Sequence, residues 1–255
     1  MKNCELAGLY AYAVFRTAVL VAWGNSWLAG QAAADDLLDA VAPPRVIRDS
    51  DGEDRELLQG LRELQRKGVR GFQLALPVPG DPSGIAAEPQ IIAAAVAAQA
   101  AAVAIGCDLL LLPNDAGWSA LPYAAPMLAA AGVRPPAGGQ SSREAEADLT
   151  DALANTTAQL HTLDLARMRP DFERILESGW LRSQSFPTDL GERNLKLIHT
   201  AARVLQIVDI AQLDDGAALT ASEARYRTAA LKALALSARN ALCSSVSAAR
   251  LVEPK

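Results

Sequence analysis

The spacing of hydrophobic positions changes along this chain, and the change divides it. Residues 5–23 are apolar on nearly every side around a single Arg16, which predicts a buried helix. Gly24-Asn25 is expected to interrupt it, with Ser26 capping a continuation to Val41. Pro43-Pro44 stops that run, because proline lacks an amide donor and clashes in a helix interior. Val46-Ile47 reads as a short strand. Leu57, Leu61 and Leu64 then recur at helical spacing within 53–67, behind a Ser50/Glu53 capping-box spacing. Gly68 follows where a left-handed helix end belongs.

Over 68–118 the pattern switches to short apolar runs. Residues 72–76 end in PVPGDPSG, and residues 109–112 end in PNDAG. An Ala-rich helical run over 89–105 joins them. Strand, helix, strand predicts a right-handed βαβ unit, and the lack of alternation suits parallel strands covered on both faces. With Val46-Ile47 as a first strand, the order is β-α-β-α-β, half of a Rossmann-like sheet. A short edge strand is expected at 118–121, and the Pro/Gly-rich segment 131–142 is the best linker. Beyond it the periodicity is helical. Ser141/Glu144 and Thr220/Glu223 have capping-box spacing. Leu149, Leu153, Thr156, Leu160 and Leu163 form a packing stripe, and Leu195, Ile198, Ala202 and Leu205 form another. Pro170 is expected to end the first of these helices and to open a short one closed at Gly179, and Gly216 to end the second. The expected fold class is α/β: a small mainly parallel sheet of βαβ units wrapped by helices, followed by an antiparallel helical bundle, helix-dominated throughout. The α/β part covers 1–140, with its βαβ unit at 68–113, and a helical part over 141–255 packs on it as one unit.

Composition sharpens this picture in three ways. The chain is 51% hydrophobic but only 5% aromatic, so Ala and Leu must fill much of the core. A net charge of -5 and a pI near 5.1 argue against nucleic acid as a partner. Cys4, Cys107 and Cys243 are odd in number and widely spaced, giving neither a disulfide framework nor metal-ligand spacing. Glu5 and Arg16 spoil both a signal peptide and a membrane span. A soluble, cytoplasmic protein with an intact N-terminus is therefore expected, with no membrane partner and Arg16 reaching a carboxylate or the surface.

The candidate chemistry lies in the two strand-end loops, 77–84 and 113–118, since ligands of parallel sheets bind beyond the carboxyl ends of strands. The first loop offers Gly80, Asp81, Ser83 and Gly84. The second offers Asn114, Asp115 and Gly117, with Trp118 able to stack on a ligand. Parallel pairing would hold Asp81 and Asp115 close together. The competing reading is ordinary turn chemistry, for which Pro, Gly, Asn and Asp are the usual residues. GDPSG is not a nucleophile elbow, and neither a P-loop nor G-x-G-x-x-G is present, so no cofactor and no metal are predicted. His161 with Asp164, and His199 with Arg203, are helical neighbours without a third partner and read as boundary residues. Cys107 reads as a buried, inert thiol. Arg225, Arg227, Lys232 and Arg239 make the last helix basic, opposite an acidic segment over 35–56, and both read as solvated faces.

The segments LALPVPGDPSG, LDLARMRPD and IVDIAQLDDG, with the Ala-rich helix after the first, resemble a family of uncharacterised Ala-rich bacterial proteins of no assigned activity. The resemblance runs over most of the chain from about Arg16. It implies a single bacterial unit and carries no functional residue to any position here. From the residues, the function remains unknown and catalysis is undecided. The expected role is a soluble binding or scaffold protein whose helices form a C₂ homodimer. The alternative is an enzyme or sensor for a small polar or anionic metabolite using the two loops.

Overall fold

The computed structural model describes residues 2–49, 51–83, 85, 87–123, 140–162, 185–212 and 220–248. Within them the fold is α/β and helix-dominated, as the periodicities predict. The strands are β1 (Val46–Arg48), β2 (Asp54–Glu56), β3 (Gly71–Ala75), β4 (Ala101–Ile105), β5 (Leu109–Asn114) and β6 (Gly117–Pro122). They form one sheet in the order β2-β1-β6-β5-β4-β3. The helices are α1 (Lys2–Leu28), α2 (Ala34–Ala40), α3 (Leu57–Arg66), α4 (Pro89–Ala98), α5 (Ser142–Thr162), α6 (Gly191–Ala211) and α7 (Ala221–Val246).

The sheet is mixed rather than mainly parallel. Only β1 with β6 runs parallel, while β1–β2, β3–β4, β4–β5 and β5–β6 are antiparallel. The reason is β4, which the sequence hides inside the Ala-rich helix. That helix stops at Ala98, where Gln99 turns left-handed at φ 62 and its amide closes onto Ala95 and Val96. Ala101–Ile105 then pairs with both β3 and β5. Alanine is the best helix former, so this strand betrays itself only by the period of its burial. Ala102 and Ala104 face one core, with Phe72, Leu74 and Leu111, while Ala101 and Val103 face the other, with Leu110 and Leu112 under α4.

Four further boundaries differ from expectation. Helix α1 runs through Gly24-Asn25 unbroken, with Gly24 beside the Phe72 ring and Asn25 turned inward onto the Phe72 backbone. Residues 54–56 form β2 before α3 begins at Leu57, so Glu53 lies in the β1–β2 turn and caps no helix. β6 lies between β1 and β5 and is interior, not an edge. Cys107 is only half-buried, in the β4–β5 turn, and the buried thiol is Cys243. Val46-Ile47 is a strand, Gly68 takes φ 101, and both capping boxes, Ser141/Glu144 and Thr220/Glu223, form. The helix break at Pro170, the short helix closed at Gly179, and the stop at Gly216 lie outside the described residues, as do Ser50, Leu163, Asp164 and most of the linker.

The β3 edge of the sheet is sealed by side chains. Phe72 donates its N–H to Asn25 Oδ1 at 2.7 Å and accepts from Asn25 Nδ2 at 2.9 Å. Leu74 donates to Ser247 Oγ at 3.0 Å. An edge strand left bare would recruit other chains; here α1 and the end of α7 occupy it. Helices α5 and α6 pack on α7, which in turn lies on β3.

Candidate functional site

The first loop is built from a tight turn. Val78 and Asp81 exchange both main-chain hydrogen bonds, at 2.8 and 2.9 Å. Pro79 and Gly80 occupy the corner, with Gly80 at φ 86, the left-handed conformation a type II turn demands at that position. Asp81 Oδ1 accepts the Ser83 N–H at 2.9 Å, and the Ser83 hydroxyl donates to the Leu76 carbonyl at 2.6 Å. Ser83 is therefore spent on the loop itself. Gly84 lies outside the described residues.

The second loop is a hairpin turn. Asn114 pairs with Gly117 across the two-residue connection Asp115-Ala116. Asn114 Oδ1 accepts from the Ala116 N–H at 2.8 Å, and its amide donates to Ser119 Oγ at 2.7 Å. Gly117, at φ 140, is needed because β1 crosses so close that a Cβ there would lie 2.0 Å from the Val46 carbonyl oxygen. Trp118 is 1% exposed, and the Arg16 guanidinium lies over its ring at 4.1 Å.

The two loops do not meet through strand pairing. β4 separates β3 from β5, so strands that were expected to be neighbours stand about 10 Å apart, twice the strand spacing. Gly80 and Asp81 open onto a cleft that none of Asn114, Asp115 and Trp118 lines. Arg16 departs from expectation as well. It is 3% exposed and donates to the carbonyls of Pro44 and Asn114, reaching neither carboxylate nor surface. Burial lowers its pKa.

What the turn of the first loop does face is helical. A cleft of about 680 Å³ opens between Val78–Asp81, Gln99 at the end of α4, the last turns of α6 and the middle of α7. Its walls are Val78, Pro79, Leu205, Val208, Ala235 and Leu236; its polar groups are Asp81, Gln99, Asp209, Gln212, Lys232 and Arg239. Arg239 is the central cation, its side chain 11% exposed. Among the described residues its nearest carboxylate oxygen is Asp81 Oδ2 at 4.0 Å, and its buried Nε has no hydrogen-bond partner. Asp209, one turn beyond Leu205 on the apolar side of α6, is pushed up to about 7 by burial, against the pull of Arg239. Beneath them burial pushes the Cys243 thiol up to about 12, so it stays protonated.

Sequence reasoning singled out Asp81 but paired it with the 113–118 loop, counted Lys232 and Arg239 among solvated charges, and missed Asp209 and Gln99. A signal for Asp209 was present: the acid in IVDIA falls on the buried stripe of its helix. His161 and His199 are exposed, and His199 meets the Phe186 ring edge-on. Among the described residues no group of three or more His, Cys, Asp or Glu could hold a metal ion. Part of the acidic segment is locally matched: Asp54 binds Arg48 at 2.7 Å, while Asp49 and Glu53, with Glu63 of α3, surround Arg55.

A mixed sheet with α4 on one face, helices on the other and a polar-rimmed cleft where loop and helices meet defines an α/β protein with a candidate small-molecule site. By sequence it belongs to the Rv1486c-like protein family: the N-terminal domain of that family matches residues 17–137 and the C-terminal domain matches 143–243. Two uncharacterised proteins of Mycobacterium tuberculosis, Rv1486c of strain H37Rv and MT1533 of strain CDC 1551, are each 29% identical to it. In both cases the match covers 89% of this chain and 94% of the relative. No solved structure matches it significantly. Among the described residues no helix is long and apolar enough to cross a membrane.

Proposed function

We propose that this protein binds a small molecule in the cleft between the Val78–Asp81 turn and helices α6 and α7. The observation that carries this reading is Arg239. A guanidinium offers five donors and is costly to bury without acceptors, yet here it points into an open cleft with one carboxylate at the limit of pairing. The volume falls in the range of ordinary ligand sites, which are mostly apolar with a few convergent polar groups. The PNDAG hairpin is, on this reading, a turn and no part of the site. The test is amide NMR with mixtures of small metabolites. Shifts are expected at Gly80, Gln99 and Gln212, and Ala235→Trp, which fills the cleft, should remove them. Shifts confined to 114–118, or none with any mixture, would refute the reading.

A second reading, helix-mediated homodimerisation, is favoured by Tyr226 and Leu236, which are 67% and 42% exposed on α7. Light scattering decides it: a dimer at micromolar concentration is expected, and Tyr226→Glu should dissociate it. The compartment proposed is the cytoplasm, supported by the free thiols of Cys107 and Cys243.

A further inference from the structure

We infer that the ligand of this cleft is a carboxylic acid with an apolar chain, its single negative charge paired with Arg239. The inference rests on the binding-site reading above and adds the chemistry of the ligand.

Three observations converge on it. The first is the charge around the site. Arg239 and Lys232 face it from α7, Asp81 from the turn and Asp209 from α6, with the protonated Cys243 thiol below. Among the described residues, with Asp209 neutral, two cations stand against one anion, leaving room for one negative charge. The second is the backbone. Both α4 and α6 present their C-terminal ends, at Gln99 and Gln212. Each negative dipole end weighs against an anion. A charge-assisted hydrogen bond to a guanidinium outweighs one such dipole end. One charge is therefore tolerated, but a phosphate dianion would meet the dipole ends twice over, and among the described lining residues no helix N-terminus offsets them. The third is the wall. Leu205, Val208, Ala235 and Leu236 line the cleft beside the charges, which suits an apolar chain and would strand a sugar's hydroxyls. A planar carboxylate also matches the guanidinium fork in bidentate geometry.

The state of Asp209 then decides affinity. Protonated, it can donate a hydrogen bond to the carboxylate; ionised, it repels it.

Octanoate, 1-octanol and octylamine serve as probes that share a chain and differ in the head. Dissociation constants are read from the Gln99 amide in NMR titrations at pH 6 and pH 8. Octanoate should bind at least tenfold tighter than octanol, octylamine should not compete, and Arg239→Met should erase the preference. If the carboxylate binds only beside neutral Asp209, with a pKa near 7, the competent fraction falls about tenfold from pH 6 to pH 8, and affinity with it. Asp209→Asn should abolish that fall. Should Arg239→Met not fold, Lys232→Ala on the exposed rim should still weaken octanoate two- to threefold and leave octanol unchanged. Equal binding of octanoate and octanol, preference for the amine, or indifference to both α7 variants would overturn the inference and leave the cleft a binding site of other specificity. Silence from all three probes, while metabolite mixtures still shift Gln99, would overturn it too; silence from mixtures as well would remove the binding-site reading itself.

Discussion

Arg16 and Arg239 invite comparison. Each is largely buried, and among the described residues each has an Nε without a hydrogen-bond partner. Around Arg16 the protein has filled every direction. The Trp118 ring lies at 4.1 Å, and the carbonyls of Pro44 and Asn114 accept from its two terminal nitrogens. Its task is to fasten α1 to the sheet at the crossing of β1, β5 and β6. Around Arg239 one direction is open, and its only pairing among the described residues is 4.0 Å long. On the proposed reading, a buried cation marks a binding site only where the fold leaves a ligand room to approach. Enclosure by π electrons and carbonyls marks a rivet.

The largest expected effect tests the rivet. Arg16→Ala should lower stability by about 3–4 kcal/mol, in the range for emptying a well-packed core position, since it leaves a void over Trp118 and two buried carbonyls unpaired. Urea unfolding measures this, and octanoate affinity in the surviving folded protein should be unchanged. A variant as stable as the wild type would mean that the enclosure of Arg16 does not fasten the fold.

Next in size is a pH effect. Asp209 has a folded pKa of about 7 against an ordinary 3.8, so the folded state holds its proton more tightly than the unfolded state does. Its contribution is complete below about pH 4 and is lost as pH rises toward 7, after which stability is flat. Between pH 5 and pH 8 the loss should be on the order of 2 kcal/mol, at 1.36 kcal/mol per pH unit over the titrating range. Asp209→Asn should flatten that slope, whereas Arg16→Ala should keep it. An unchanged slope in the Asp209→Asn variant would mean that the carboxylate is solvated and the cleft wetter than its walls suggest.

Much of the fold is legible in the sequence because it follows from side-chain period and end chemistry. Leu57, Leu61 and Leu64 locate α3, and Thr220 with Glu223 locates the start of α7, since capping needs only residues three apart. What escaped is what depends on neighbours distant in the chain. β4 is nearly all alanine, and only its pairing with β3 and β5 makes it a strand. Asn25 reads as a helix breaker until the unpaired edge of Phe72 gives its amide two partners. The candidate site was half legible. Asp81 stands out in its Pro/Gly turn, but Asp209 and Arg239 reach it from helices more than a hundred residues away, and the expected partner loop closes on itself.

The smallest effects separate the two loops, and with them the two arginines. Asn114→Ala and Asp81→Ala should each cost about 1 kcal/mol, because each removes a side-chain acceptor from one nearby amide, and water replaces the exposed Asn114–Ser119 bond. In urea the two variants should look the same. Their ligand behaviour should differ. Asn114 sits beneath Arg16, so its loss should leave octanoate binding as it was. Asp81 is the carboxylate that competes for Arg239, so Asp81→Ala removes a negative charge from the cleft and frees the guanidinium. Octanoate should then bind several-fold tighter at pH 6, the magnitude of one partly exposed ion pair at about 0–1 kcal/mol. Weaker binding in that variant would mean that Asp81 holds Arg239 in position for the ligand instead of competing with it, and the turn would then be part of the binding apparatus.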